Sequence, residues 1–310
     1  MPLKHSLNIL IYKYGVVFKM IAYYAILLLI FVSIAAGILS PIFSEMYAEI
    51  QETGVTVQLH QFFDEFLQGD SSLIETFQAI GVAVNSIIDI VVNNNMAVTK
   101  GLVVIGVFAI LYIYLVSFAN LVCSDVVNNF MNSASRFGFL SNLIYNLGKS
   151  ALYGLLYLVT YLPATACSVA VTYFVGYGLV KGGAFLLAFP ACCMTFLVLQ
   201  SLVLTVFAGW LPAIVVDKKN VAKALVEGPK SILKDHFGYC WMTMFVTMFL
   251  CFIFVMISTF FTFGFGFIIA FPTAVVAVKI LELVFYFNAH GYKFYETDKK
   301  VAEETLPKME

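Results

Sequence analysis

Lys279 and Glu282 are the only ionisable pair that falls well inside a long apolar stretch of this 310-residue chain, in the run Ala277-Val278-Lys279-Ile280-Leu281-Glu282-Leu283. Three residues apart on a helix, they occupy neighbouring positions on one face, where an ammonium and a carboxylate can pair. A lone lysine at the centre of a bilayer costs roughly 2.5–3.5 kcal/mol on insertion scales, so a partner or water must accompany it. Two readings follow. Either the pair is a substrate or proton site facing the interior of a helix bundle, or it compensates itself while Lys279 snorkels toward an interface. Asn288 and His290 follow at the end of the same stretch, where His290 reads as a cap or anchor.

A second pattern is basic. Lys219, Lys223, Lys230 and Lys234 recur at helical spacing along one side of a segment whose other side carries Val221, Leu225 and Ile232. A helix lying in a membrane interface needs that division. The lysines could hold anionic lipid, at about 1 kcal/mol each near the surface, or form the ordinary basic face of an inner loop. Gly228-Pro229 interrupts the segment, and the expectation is two short helices with Pro229 opening the second.

Several chemistries are excluded by inspection. Gly148-Lys149-Ser150 resembles the end of a phosphate-binding loop, but position 143 is Leu where that loop needs Gly. No H-E-x-x-H and no G-x-S-x-G occurs, and the four histidines are scattered. The six cysteines lie in or beside apolar stretches without metal-ligand spacing, as small hydrophobes do. An enzyme is therefore not expected, nor a cofactor or metal. Gln200, Ser201 and Thr205 read as groups bonding between helices. Pro163, Pro190 and Pro272 read as kinks that either line a site or are incidental.

The elements that must position these residues are membrane helices. Charged residues make up 11% of the chain against roughly 25% in soluble domains, and they gather between long uncharged runs. Mean hydropathy is +0.95. Six runs are long enough for a core of roughly 30 Å: Val16–Leu39, Val98–Val122, Ala151–Leu179, Ala184–Gly209, Tyr239–Phe263 and Phe265–Phe287. The first has basic residues before it but is far longer than a signal-peptide core, so an uncleaved anchor is expected. The fold class is all-α, a single transmembrane domain over 1–310 built as three hairpins. The second closes at Lys181-Gly182-Gly183 and the third at Phe263-Gly264-Phe265-Gly266. A faint repeat, Leu10 to Gly15 and Leu143 to Gly148, places an amphipathic approach helix and a Gly before a span.

Lysine placement orients the spans. Fourteen of the seventeen Lys and Arg fall in segments on one side and only Lys100 and Lys181 on the other, with Lys279 inside a span. Both termini are therefore expected in the cytoplasm, with a basic elbow at 210–238 and a cytoplasmic tail at 289–310. The segment 44–97 is an extracytoplasmic acidic loop, in which Ser72 to Val92 has the apolar spacing of an interfacial helix. Sixteen of the seventeen basic residues are Lys, a usage typical of AT-rich bacterial genomes, which points to a bacterial cytoplasmic membrane. The net charge of −1 gives no reason to expect nucleic acid.

Gly209-Trp210-Leu211-Pro212-Ala213-Ile214-Val215-Val216-Asp217, continued by Ala222, Ala224-Leu225 and Pro229-Lys230-Ser231, resembles a pattern in bacterial six-helix membrane families of the YciC type. It is also similar to the membrane domain attached to some glycerophosphodiester phosphodiesterases. Pro272 with Tyr286 downstream is similar to their final span. The resemblance covers about the last 110 residues and brings no catalytic residues with it; the long acidic loop departs from it. The expected function is a non-enzymatic membrane protein that contacts lipids or a membrane partner. The alternative is a small-molecule transporter or permease subunit using Lys279 and Glu282.

Overall fold

A backbone in apolar surroundings must pair its own N–H and C=O groups, and these uncharged runs do so as helices. The computed structural model describes residues 2–52, 95–133, 138–297 and 300–302, with positions 57, 64 and 81 between them. Its helices are α1 (Pro2–Tyr12), α2 (Gly15–Glu52), α3 (Asn95–Ser133), α4 (Phe139–Tyr145), α5 (Leu147–Lys181), α6 (Phe185–Phe207), α7 (Trp210–Val215), α8 (Val221–Phe261) and α9 (Phe267–Ala289). Two short strands, β1 (Phe294–Thr297) and β2 (Lys300–Ala302), pair antiparallel after them. Among the described residues six segments are long and apolar enough to cross a membrane: Gly15–Ser44, Asn95–Ser133, Leu147–Lys181, Leu187–Val215, His236–Phe261 and Phe267–Ala289.

The chain divides into two compact units, residues 1–26 with 113–310 and residues 27–112. In the second, Phe31 meets Phe108 and Tyr112 edge-on, with centroids 5.7 and 6.0 Å apart. Phe43 there covers the Cα of Gly101, where a Cβ would collide with its ring. The interfacial helix expected over Ser72 to Val92 lies outside the described residues. The first residues of the expected acidic segment, up to Glu52, continue α2 beyond the candidate span that ends at Ser44.

In the larger unit α9 is the hub. Its residues belong to both apolar cores, one with α1, α2, α3 and β1, the other with α3, α5, α6, α7 and α8. From Val276 to Asn288 every residue of α9 is buried. The hairpins α5–α6 and α8–α9 close where the sequence predicts, with Gly183 and Gly264 at positive φ. Pro163, Pro190 and Pro272 stay inside continuous helices. The approach helices before Gly15 and Gly148 are α1 and α4.

The 210–238 elbow departs from its sequence reading. Trp210 to Val215 form a fully buried helix, with the Trp210 indole N–H donating to the Val221 carbonyl at 3.0 Å. Pro229 opens no second helix: α8 runs through it, and the non-helical backbone comes at His236 (φ −135°, ψ 20°). The reason is tertiary. Gly209 and Gly228 meet backbone to backbone, so a Cβ on either would overlap the other's carbonyl. That contact holds the α8 backbone against α7 at the residue before the proline, and the single hydrogen bond lost at Pro229 does not end the helix.

The tail folds back onto the larger unit. Phe294 packs edge-on to Phe287 with centroids 5.7 Å apart, and Glu296 is buried against α1. The Glu296 carboxylate meets the His5 ring, accepts from Asn8 Nδ2 at 3.3 Å and pairs with Lys300 at 2.9 Å. Burial raises its pKa, but the bonds from Lys300, His5 and Asn8 outweigh this and hold it below the usual carboxylate range.

Two outcomes follow. Gly209→Ala or Gly228→Ala should lower the thermal midpoint in detergent, at an overpacking cost of about 1–3 kcal/mol or more. Gly178→Ala, whose Cβ meets nothing within 4 Å, should leave it unchanged or raise it slightly. Equal behaviour of the three would refute the close approach. The tail clasp carries a pH sign. With its folded pKa depressed, Glu296 contributes its full stabilisation above the ordinary value of about 4.3, and loses it as pH falls through the lower folded value. Pepsin should therefore cut the tail more slowly in the wild type than in Glu296→Ala near about pH 5, with the gap closing toward about pH 3. A ratio constant across that window would count against the clasp.

Candidate functional site

Lys279 lies near the middle of α9; at 1.5 Å per residue it is roughly 18 Å from Phe267 and roughly 15 Å from Ala289. Its ammonium donates to Glu282 Oε1 at 2.7 Å, and both residues are buried, 9% and 3% exposed. The pair is therefore enclosed by protein. Glu282 lies with Tyr153, Tyr157 and Tyr161 of α5 and Trp210 and Leu211 of α7 around a small gap that Lys279 also lines.

On its other side Lys279 borders a cavity of about 400 Å³ between α2, α3, α5, α6, α8 and α9. The cavity has two chemical ends. Around Lys279 stand Tyr24, Asn120, Tyr157, Tyr161 and Gln200, while Phe196, Phe252, Val255 and Phe271 line the remainder. Those four lie nearer in sequence to the two hairpin turns. Phe271 is roughly 12 Å along α9 from Lys279. Gln200 Nε2 donates to the Tyr161 hydroxyl at 2.7 Å, and the Tyr24 hydroxyl donates to Asn120 Oδ1 at 3.4 Å. Tyr157 and Tyr161 stack with centroids 4.5 Å apart. Gln200 Oε1 is buried with no hydrogen-bond partner among the described residues, an acceptor of a kind that native interiors seldom leave unpaired.

Sequence reasoning singled out Lys279, Glu282 and Gln200, but not the tyrosines that close round them. Tyr153, Tyr157 and Tyr161 recur every four residues, which is the signal of a single helix face. Gln200 crosses to α5 as expected, while Ser201 and Thr205 bond back to carbonyls of their own helix. Ser201 also accepts from the Trp241 indole at 3.1 Å. Among the described residues no group of three or more His, Cys, Asp or Glu could hold a metal ion.

The lysines of the elbow are elsewhere. Lys223, Lys230 and Lys234 are exposed along α8. The side opposite them, with Val221, Ala224 and Ile232, is buried in the core formed with α7 and α9, so protein and not lipid takes it up. Lys219 precedes α8 and pairs with Asp217 at 3.3 Å and Glu227 at 3.4 Å. Burial lowers its pKa and the bonds to those two carboxylates raise it further, for a net rise. Asp217 in turn accepts from the Tyr286 hydroxyl at 2.5 Å, tying the start of the elbow to the end of α9.

If the pair is held by its own mutual contact, cutting it on one side should cost more than removing both partners. Glu282→Leu leaves a buried ammonium unpaired and should cost about 3–5 kcal/mol, whereas Lys279→Met with Glu282→Leu should recover most of it. Thermal unfolding of the single and double variants measures the difference, and additive losses would disprove the coupling.

The chain matches no protein-family model, no curated protein and no solved structure.

Proposed function

We propose that this chain is a non-enzymatic multi-pass protein of a bacterial cytoplasmic membrane whose role is to hold a lipid-like amphiphile inside its helix bundle, at the cavity that ends on Lys279 and Glu282. One observation carries the reading: a cavity of about 400 Å³ that is polar and charged at one end and lined by aromatic and aliphatic side chains at the other. Ligand sites of this size are commonly apolar with a few convergent polar groups. An ammonium buried with a single carboxylate is a donor that an incoming anionic or carbonyl group can share. The phenols of Tyr157 and Tyr161 and the Gln200 amide supply further polar groups in the same wall. The aromatic end suits an acyl or isoprenoid chain.

The excess of lysine on the side of both termini supports a cytoplasmic location for them. The missing hydrolase, metalloprotease and phosphate-loop motifs support a role without catalysis. A transporter reading shares the same site, because a polar centre half-way through the bilayer is where a carrier would hold its cargo. Accessory contact with a membrane protein partner is compatible with amphiphile binding.

Purification in mild detergent followed by native mass spectrometry tests the proposal. The wild type is expected to retain an amphiphile of defined mass. Ala274→Phe, which puts a ring into the cavity from α9, should lose it with little change in thermal midpoint. An empty wild type, or equal retention by the variant, would sink the reading.

A further inference from the structure

A second cavity, of about 500 Å³, opens where the C-terminal part of α3 meets α4, the first turn of α5 and the end of α7. It has no residue in common with the Lys279 cavity and has a different chemistry. Its wall carries Asp125, Asn142, Asn146, Lys149 and Lys218 among the polar groups, with Tyr145 at the rim. Asn146 Nδ2 donates to Asp125 Oδ2 at 3.1 Å, which fixes the carboxylate on one wall. Asn142 is more than nine-tenths buried, and its Nδ2 has no hydrogen-bond partner among the described residues. Asn142 stands in the cavity wall beside Asn146 and Asp125.

We propose that this cavity binds the phosphate group of a phosphate ester. Two ammonium groups against one carboxylate leave a net positive charge in a wall that also carries the amide side chains of Asn142 and Asn146, the combination that a phosphate's several acceptor oxygens require. Asp125 then selects what is attached, because a carboxylate accepts from a hydroxyl or amine but repels a second anion. Gly148-Lys149-Ser150 lacks the preceding glycine of a nucleotide-binding loop, since position 143 is Leu. Lys149 serves here as a point charge at the cavity wall and not as part of a backbone cradle. The same chemistry is presented by a phospholipid headgroup at the bilayer surface and by a soluble phosphate ester.

Both lysines are exposed, so they can be changed without emptying a core. Lys218 has φ +54°, a left-handed conformation that asparagine tolerates, so Lys218→Asn removes the charge and keeps the turn. The full chain in maltoside detergent would be titrated with glucose 6-phosphate against glucose, and separately with phosphatidylglycerol against diacylglycerol. The wild type should gain about 2–4 °C in thermal midpoint with at least one phosphate probe and nothing with its phosphate-free control. A shift with the lipid alone assigns the site to a headgroup, and one with the sugar phosphate alone assigns it to a solute. The Lys149→Gln, Lys218→Asn double variant should lose the shift while keeping the wild-type midpoint without ligand. No shift with either phosphate probe, or an undiminished shift in the double variant, would overturn the proposal.

Discussion

A lysine and a glutamate half-way along an apolar helix oblige the rest of the bundle to wrap that helix in protein. Facing lipid, Lys279 and Glu282 would have only each other; inside, they have a 2.7 Å ion pair and a ring of phenols and amides around them. The low dielectric strengthens their attraction and raises the cost of desolvating them, so the pair persists only where its geometry is held. α9 is accordingly buried on every side from Val276 to Asn288, and both cores of the larger unit are built on it.

What holds α9 in place is a set of contacts between distant parts of the sequence. Tyr286 ties its end to Asp217, Trp210 ties α7 to the start of α8, and the Gly209–Gly228 approach brings α7 and α8 close enough for both. Asn128 of α3 donates to the Val215 carbonyl at 3.1 Å, satisfying an orphan acceptor at the end of α7. The tail completes the arrangement from the other side, with Phe294 against Phe287 and Glu296 against α1. The hub is thus gripped near its C-terminal end, below the level at which its charged pair sits.

The sequence disclosed what is local. Six spans, two glycine turns, two approach helices and the i, i+3 pair all follow from composition and spacing over a few residues. The local preference of Pro229 for a helix start is overridden by the backbone contact of its neighbour Gly228 with Gly209, nineteen positions before Gly228. The Asp217–Tyr286 bond was half visible: both residues belong to the pattern resembling six-helix membrane families, but nothing in spacing says that they touch. The strand pair in the tail and its clasp on α1 depend on a residue pairing across nearly the whole chain, which no periodicity reports. The cavities were illegible for the same reason, since each is a gap between several helices.

The orphaned polar atoms bear on which gaps matter. Among the described residues six buried side-chain atoms have no partner: three are hydroxyls, Ser124, Ser150 and Thr259, and three are amide atoms, Gln200 Oε1, Asn142 Nδ2 and Asn288 Nδ2. A hydroxyl rotates to suit its surroundings, whereas an amide presents donor and acceptor in a fixed plane. An unpaired amide therefore constrains its surroundings more tightly than a hydroxyl does. Two of the three amides line a cavity, Gln200 that of Lys279 and Asn142 that between α3 and α5. Each cavity also has lysine in its wall. Lysine, amide and phenol side chains converging in one wall are the few placed polar groups that a ligand site needs, and a packing fault between apolar helices lacks them.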